Sequence, residues 1–192
     1  MISLEALDSA KSGCLTPPKN MPESCRMERQ CGDDLPPHRV FQECSLIPVD
    51  IDSRRKLDAA CHCGTVRFQL VLTDGLRTLR RCNCSYCSMR GAVAVSTNLE
   101  DLHIVEGADK LTLYQFNTGQ AKHYFCSVCG IYTFHSRRSV PTQYGVNVSC
   151  IEGMSPFDFD EVPVLEGRSH PKDRGGGSLT AGWVSYRSNT GS

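Results

Sequence analysis

Between Arg81 and Met89 the chain reads Arg-Cys-Asn-Cys-Ser-Tyr-Cys-Ser-Met, which sets Cys82, Cys84 and Cys87 side by side in one short loop. Two more tight pairs flank this run: Cys61-His-Cys63-Gly before it and Cys126-Ser-Val-Cys129-Gly after it. Thiols one or two residues apart rarely bridge each other but readily grip one ion. In a reducing compartment such CxC and CxxC spacing reads as metal rather than disulfide. Zinc suits thiolate ligands; a structural zinc closes on four of them, whereas a working zinc keeps one position open. The clustered thiols divide into one four-ligand set and one three-ligand set, which gives two zinc ions, one for the fold and one for chemistry.

Cys61, Cys63, Cys126 and Cys129 form two local pairs far apart in sequence, each followed by glycine. That is how a four-thiolate site ties two hairpins together. A saturated ion is inert, and its contribution is folding free energy, of order 10 kcal/mol where the site does not preform. Cys82, Cys84 and Cys87 have no obvious fourth partner. Three thiolates on Zn²⁺ leave a corner for water or an incoming thiol, and a thiol held there loses its proton near neutral pH. The alternative is that Cys150 or one of His62, His123 and His135 closes the site and makes it structural. As proton shuttles these histidines compete with an ordinary role on strands. Tyr86 lines the pocket or packs; Asn147, opposite Val146 and Val148, is oriented toward the site; Trp183 is a core residue.

Short strands must hold these loops. Val66, Phe68, Leu70 and Leu72 alternate with Arg67 and Gln69, the pattern of a half-buried strand over residues 65–72. Further strands are predicted over 91–96, 102–105, 111–117 and 179–187. Lys122–Cys126 and Ile131–His135 flank the Cys126–Cys129 knuckle as a hairpin, with Gly130 supplying the backbone freedom such a knuckle needs. Tyr144, Val146, Val148 and Cys150 line one face of another strand. No long amphipathic helix is present after residue 57. The predicted class is mainly β, antiparallel sheets joined by turns.

Composition bounds the rest. The 192 residues suffice for one domain plus a tail. Lys+Arg and Asp+Glu are both 21, which argues against a broad phosphate-binding surface and hence against nucleic acid as a partner. No apolar run approaches the ~20 residues that span a bilayer, so no membrane is expected. The first residues lack a basic region followed by an apolar one, so the expected location is cytoplasmic. Residues 1–56, with Pro17, Pro18, Pro22, Pro36, Pro37 and Pro48 and scattered cysteines (Cys14, Cys25, Cys31, Cys44), read as a poorly ordered leader before a zinc-binding domain over 57–192. A short helix near residues 2–10 is the one element expected there. The chain lacks His-Glu-x-x-His, Gly-x-Ser-x-Gly and the Pro-Cys-x-x-Cys of nucleobase deaminases. The basic pairs Arg80-Arg81 and Arg137-Arg138 read as solvated or locally paired surface.

The order of CxCG, CxCxxC and FCxxCG resembles the glutathione-dependent formaldehyde-activating enzyme (GFA) family, which also includes centromere protein V. The likeness is carried by Cys61-His-Cys63-Gly-Thr-Val-Arg-Phe, by Arg81-Cys-Asn-Cys-Ser-Tyr-Cys, by the run from Leu113 to Gly130, by Tyr144–Gly153 and by Ser169-His-Pro-Lys-Asp. It extends from about Leu57 to Tyr186. The resemblance implies an Mss4-like β-tent of antiparallel sheets stapled by zinc. It implies structural zinc on Cys61, Cys63, Cys126 and Cys129, and catalytic zinc on Cys82, Cys84 and Cys87. It also implies a carbon–sulfur lyase joining glutathione to formaldehyde as S-hydroxymethylglutathione. No residues match glutathione recognition, and fold alone does not fix a substrate. The rival is a non-catalytic, zinc-stapled binding module for protein or nucleic acid.

Overall fold

A computed structural model of the chain describes residues 55–189. The expectations for the leader, its cysteines and its short helix lie outside these residues; Lys56, placed in the leader, already opens the first strand. In chain order the strands are β1 (Lys56–Ala60), β2 (Arg67–Val71), β3 (Arg81–Cys82), β4 (Ala94–Asn98), β5 (Leu102–Glu106), β6 (Leu111–Tyr114), β7 (Lys122–Cys126), β8 (Tyr132–Ser136), β9 (Gln143–Asn147), β10 (Glu161–Leu165) and β11 (Thr180–Ser185). A single α-helical turn and a half, α1 (Ser85–Arg90), interrupts them.

Three sheets result, in the orders β1-β2-β5, β4-β9-β8-β7-β6 and β11-β10-β3. All pairings are antiparallel except the short parallel one between β10 and β3, which joins Val164 to Arg81 and Leu165 to Cys82. The architecture is the expected mainly β, antiparallel, Mss4-like arrangement.

The core lies between the first two sheets. Alternation in and around β2 sends Val66, Phe68, Leu70 and Leu72 inward, each 2% exposed or less. Phe68 meets Phe134 of β8 edge-on, with ring centroids 5.4 Å apart. Val95 of β4 and Val146 of β9 fill the same layer, and Val148 and Cys150 close it just beyond β9. Burying such side chains is the main favourable term in holding the sheets together.

Four expectations need correction. The residues after Asn147 form a 3-10 turn rather than more strand, and Asn147 caps it: its Oδ1 accepts from Ser149 N–H and its amide donates to the Tyr132 carbonyl. Asn147 is thus a buried structural cap, not a group facing the three cysteines. Trp183 is 61% exposed, because β11 is the outer strand of the smallest sheet and its neighbours leave it facing solvent. Arg80 is 9% exposed and Arg137 half-buried, so neither is solvated surface; Arg138 is ion-paired, to the distant Asp173.

Candidate metal centre and its cavity

Each thiol cluster is placed by a turn. Cys61 and Cys63 occupy the β1–β2 turn, where Gly64 has φ +75 and its N–H donates to the Cys61 carbonyl. Cys126 ends β7 and Cys129 precedes β8; Gly130, at φ +72, donates back to the Cys126 carbonyl at 2.8 Å. Left-handed backbone at both positions favours glycine. The two turns bring the four sulfurs within 4.8 Å of one another. Cys61 and Cys63 Sγ are 3.5 Å apart, and Cys63 and Cys126 Sγ 3.8 Å. These distances are far beyond a disulfide and close to the ~3.8 Å edge of a tetrahedron with sulfur ~2.3 Å from zinc.

The second cluster is built by α1. Cys84 is the N-cap, its sulfur accepting from Cys87 N–H at 3.4 Å. Cys82 ends β3, and its Sγ accepts from Cys84 N–H. Gly91, at φ +70, closes the helix with an N–H bond to the Cys87 carbonyl. The three sulfurs lie within 4.8 Å of one another. Among the described residues no histidine, carboxylate or fourth cysteine joins them. Cys150 sits in the core instead, with its Sγ on the Tyr132 carbonyl.

Both clusters carry charge that wants a cation. Contacts with Cys82 and then Cys87 hold the Cys84 thiol down to about 2, while contacts with Cys82 and then Cys84 push Cys87 far up. Burial pushes Cys61 up to about 12. At Cys63 burial also raises the thiol, but hydrogen bonds to Thr65 outweigh it and hold the group at about 6. Cys129 is lowered as well, its burial outweighed by backbone hydrogen bonds, so each cluster holds at least one lowered thiol beside a raised one, and a soft divalent ion relieves that crowding. Donor type, number and spacing therefore fit zinc at both places.

The three-cysteine cluster opens onto a cavity of about 200 Å³. Gly167 approaches so closely that a Cβ there would lie 2.3 Å from Cys82 Sγ. The Asn83 side chain fixes this approach, accepting from Gly167 N–H at 2.6 Å and donating to Glu166. On another wall, Arg90 stacks over Tyr132, with its guanidinium carbon 3.4 Å from the ring centroid. Its NH2 reaches Cys87 Sγ at 3.5 Å and its NH1 contacts His123 Nδ1 at 3.2 Å. A guanidinium only donates, so His123 Nδ1 accepts and its ring proton sits on Nε2. Burial first, then Arg90, lowers His123 to about 4, so it is neutral at pH 7. His135 is lowered well below its ordinary value, first by burial and then by Arg90. Its Nδ1 meets the Tyr132 hydroxyl, which donates to the Gly145 carbonyl. His62 is exposed and lines a separate recess beside Cys61. Tyr86 packs against Tyr114, Phe116 and His123.

Sequence reasoning missed the arginines. Arg80 and Arg137 both donate through NH1 to Ser96 Oγ, at 2.9 and 3.0 Å. Two NH1 groups on one oxygen lie no more than about 6 Å apart, and like charges there repel by about 3 kcal/mol at an effective dielectric near 20. Burial, and next Arg137, lowers Arg80 to about 9. The Arg-Arg dipeptides signalled charge, but nothing local revealed that the sheet would enclose it.

A mainly β protein with two compact thiol clusters, one closed and one at a cavity, is the class this geometry defines. A profile of the glutathione-dependent formaldehyde-activating enzyme family matches residues 56–161, and the chain belongs to that family. It is 35% identical over 81 residues to a Halomonas elongata protein provisionally named a glutathione-dependent formaldehyde-activating enzyme. That match covers 38% of this chain and spans about half the length of that relative, 51%. A crystal structure of a Rhodobacter sphaeroides protein is similar at 53% sequence identity and a TM-score of 0.55, covering 56% of this chain and 98% of that one.

Proposed function

We propose that the chain is a zinc-dependent carbon–sulfur lyase that joins a thiol such as glutathione to an aldehyde such as formaldehyde, or runs the reverse. Three sulfurs within 4.8 Å, on a cavity wall and with no fourth described ligand, carry this reading. In the forward direction the thiol sulfur bonds to the carbonyl carbon and the thiol proton ends on the carbonyl oxygen, so the sum is a simple addition. Cys82, Cys84 and Cys87 would hold the working ion, and Cys61, Cys63, Cys126 and Cys129 the structural one. The working ion, when bound, supplies a Lewis acid that lowers the pKa of a thiol at its open corner.

The chain's own groups do the positioning. Arg90 spreads positive charge beside Cys87 and fixes the His123 tautomer. His123, neutral with its proton on Nε2, offers a donor to a carbonyl oxygen in the same cavity. Gly167 lets the β10 end lie against the thiol loop and limits water there. Holding both reactants in one small cavity contributes proximity. Thiol clusters spaced for metal rather than for disulfides suit a reducing, cytoplasmic setting. Among those residues no helix is long and apolar enough to cross a membrane.

The test is the rate of S-hydroxymethylglutathione formation by zinc-loaded protein against the uncatalysed rate and against Cys84→Ser. A rate above background that vanishes in a folded Cys84→Ser supports the lyase. A background rate with both ions bound sinks it and favours the binding module.

A further inference from the structure

The cavity beside Cys82, Cys84 and Cys87 is electrically unbalanced. Arg138 is neutralised by Asp173, and Arg90 is turned toward Cys87. Arg80 and Arg137 line the same cavity, and among the described residues no carboxylate forms an ion pair with either. Arg80 is 9% exposed, and its NH2 is buried without a partner. Among the described residues its NH1 reaches only neutral oxygens, the Thr78 carbonyl and Ser96 Oγ. Arg137 likewise spends its NH1 on Ser96 Oγ and Gln143 Oε1. Two guanidinium groups drawn onto one hydroxyl, away from solvent, destabilise the fold unless something anionic joins them. The planar fork of a guanidinium matches a carboxylate in shape and charge.

We propose that Arg80 and Arg137 form a carboxylate-binding subsite in the cavity of the three cysteines, so that the thiol substrate is one carrying a carboxylate. At about 200 Å³ the cavity is smaller than the ~300–1,000 Å³ of typical ligand pockets. It takes a thiol and a nearby acid group and leaves the remainder of a larger substrate outside. This subsite rests on reading the three-cysteine cluster as a thiol site.

The experiment uses the zinc-loaded full chain and three probes: 3-mercaptopropionate, the neutral 2-mercaptoethanol, and propionate, which has the acid without the thiol. Calorimetry is expected to show 3-mercaptopropionate binding about tenfold or more tighter than 2-mercaptoethanol. Arg137→Met is expected to erase that ratio while leaving 2-mercaptoethanol affinity unchanged. Propionate is expected to raise the melting temperature of the wild type by mass action and to leave that of Arg137→Met unmoved. Equal affinity for the two thiols with no propionate effect overturns the subsite while leaving the thiol reading intact. Failure of both thiols to bind, with propionate still stabilising the wild type, upholds the subsite and sinks the thiol reading. Should Arg137→Met not fold, the three probes on the wild type decide.

Discussion

A single missing carbon sets the shape of the three-thiol loop. Any side chain at residue 167 would collide with Cys82 Sγ and, at 2.9 Å, with Cys84 Cβ. Gly167→Ala should therefore displace β10 from the loop and lower bound zinc by about one ion per chain, with the four-thiolate ion retained. Metal analysis after gel filtration checks this; unchanged zinc would remove Gly167 from the site. His123 offers a second residue-scale expectation. Its folded pKa of about 4 lies below the ordinary ~6.5, so on acidification the unfolded chain takes the proton first. Stability is full above pH ~6.5, falls as the pH drops toward about 4, and from this group falls no further below that. Burial lowers His135 as well, so it adds to the same loss of stability on acidification. Urea midpoints between pH 7.5 and 5 should fall less in His123→Gln than in the wild type; parallel curves would refute it. The seven thiols were legible because metal spacing is local. The arginines were not, since their enclosure depends on Ser96 of β4 and on the stretch after β8, neither of which announces itself beside Arg80.

Among the elements, β2 carries the first sheet. Phe68 is 1% exposed and packs on Phe134 across the two sheets, so Phe68→Ala should cost about 3–5 kcal/mol in denaturant unfolding, the range for a buried aromatic. A loss under ~1 kcal/mol would mean that the sheets collapse onto the gap. The period-2 run from Val66 to Leu72 made this strand legible, and the Cys126–Cys129 knuckle with Gly130 did the same for the hairpin of β7 and β8. By contrast, β10 was hidden by Pro163, which lacks a ladder N–H. The strand tolerates it because β3 reaches only Val164 and Leu165, leaving Pro163 where β10 has one partner, β11. Helix α1 was missed because six residues are too few to show a period; its caps, Cys84 and Gly91, are its only local signal. Trp183 misled because residue type suggests burial while position on an outer strand decides it.

Across the whole domain the two proposed ions would have different jobs, and chelation should separate them. The three thiols lie at a cavity, so a colorimetric chelator is expected to draw an ion held there first, without changing the far-ultraviolet spectrum. The four-thiolate ion should leave more slowly, and β structure should be lost with it, because no other covalent or ionic tie joins the β1–β2 turn to the β7–β8 knuckle among the described residues. Release of both ions in one phase that tracks unfolding would mean that the second site is structural too. The overall class was visible in the sequence because turns and alternation are short-range. How β3 and β10 close over the thiol loop was not, since that contact spans 84 residues from Asn83 to Gly167.

That span has a consequence in time. Ribosomes extend a chain by about 5–20 residues per second, so Gly167 follows Asn83 out by roughly 4–17 seconds. For that interval the nascent loop has no roof. Until then its thiols lack the cover that Gly167 gives them in the folded chain, so a metal ion and an oxidant compete for them.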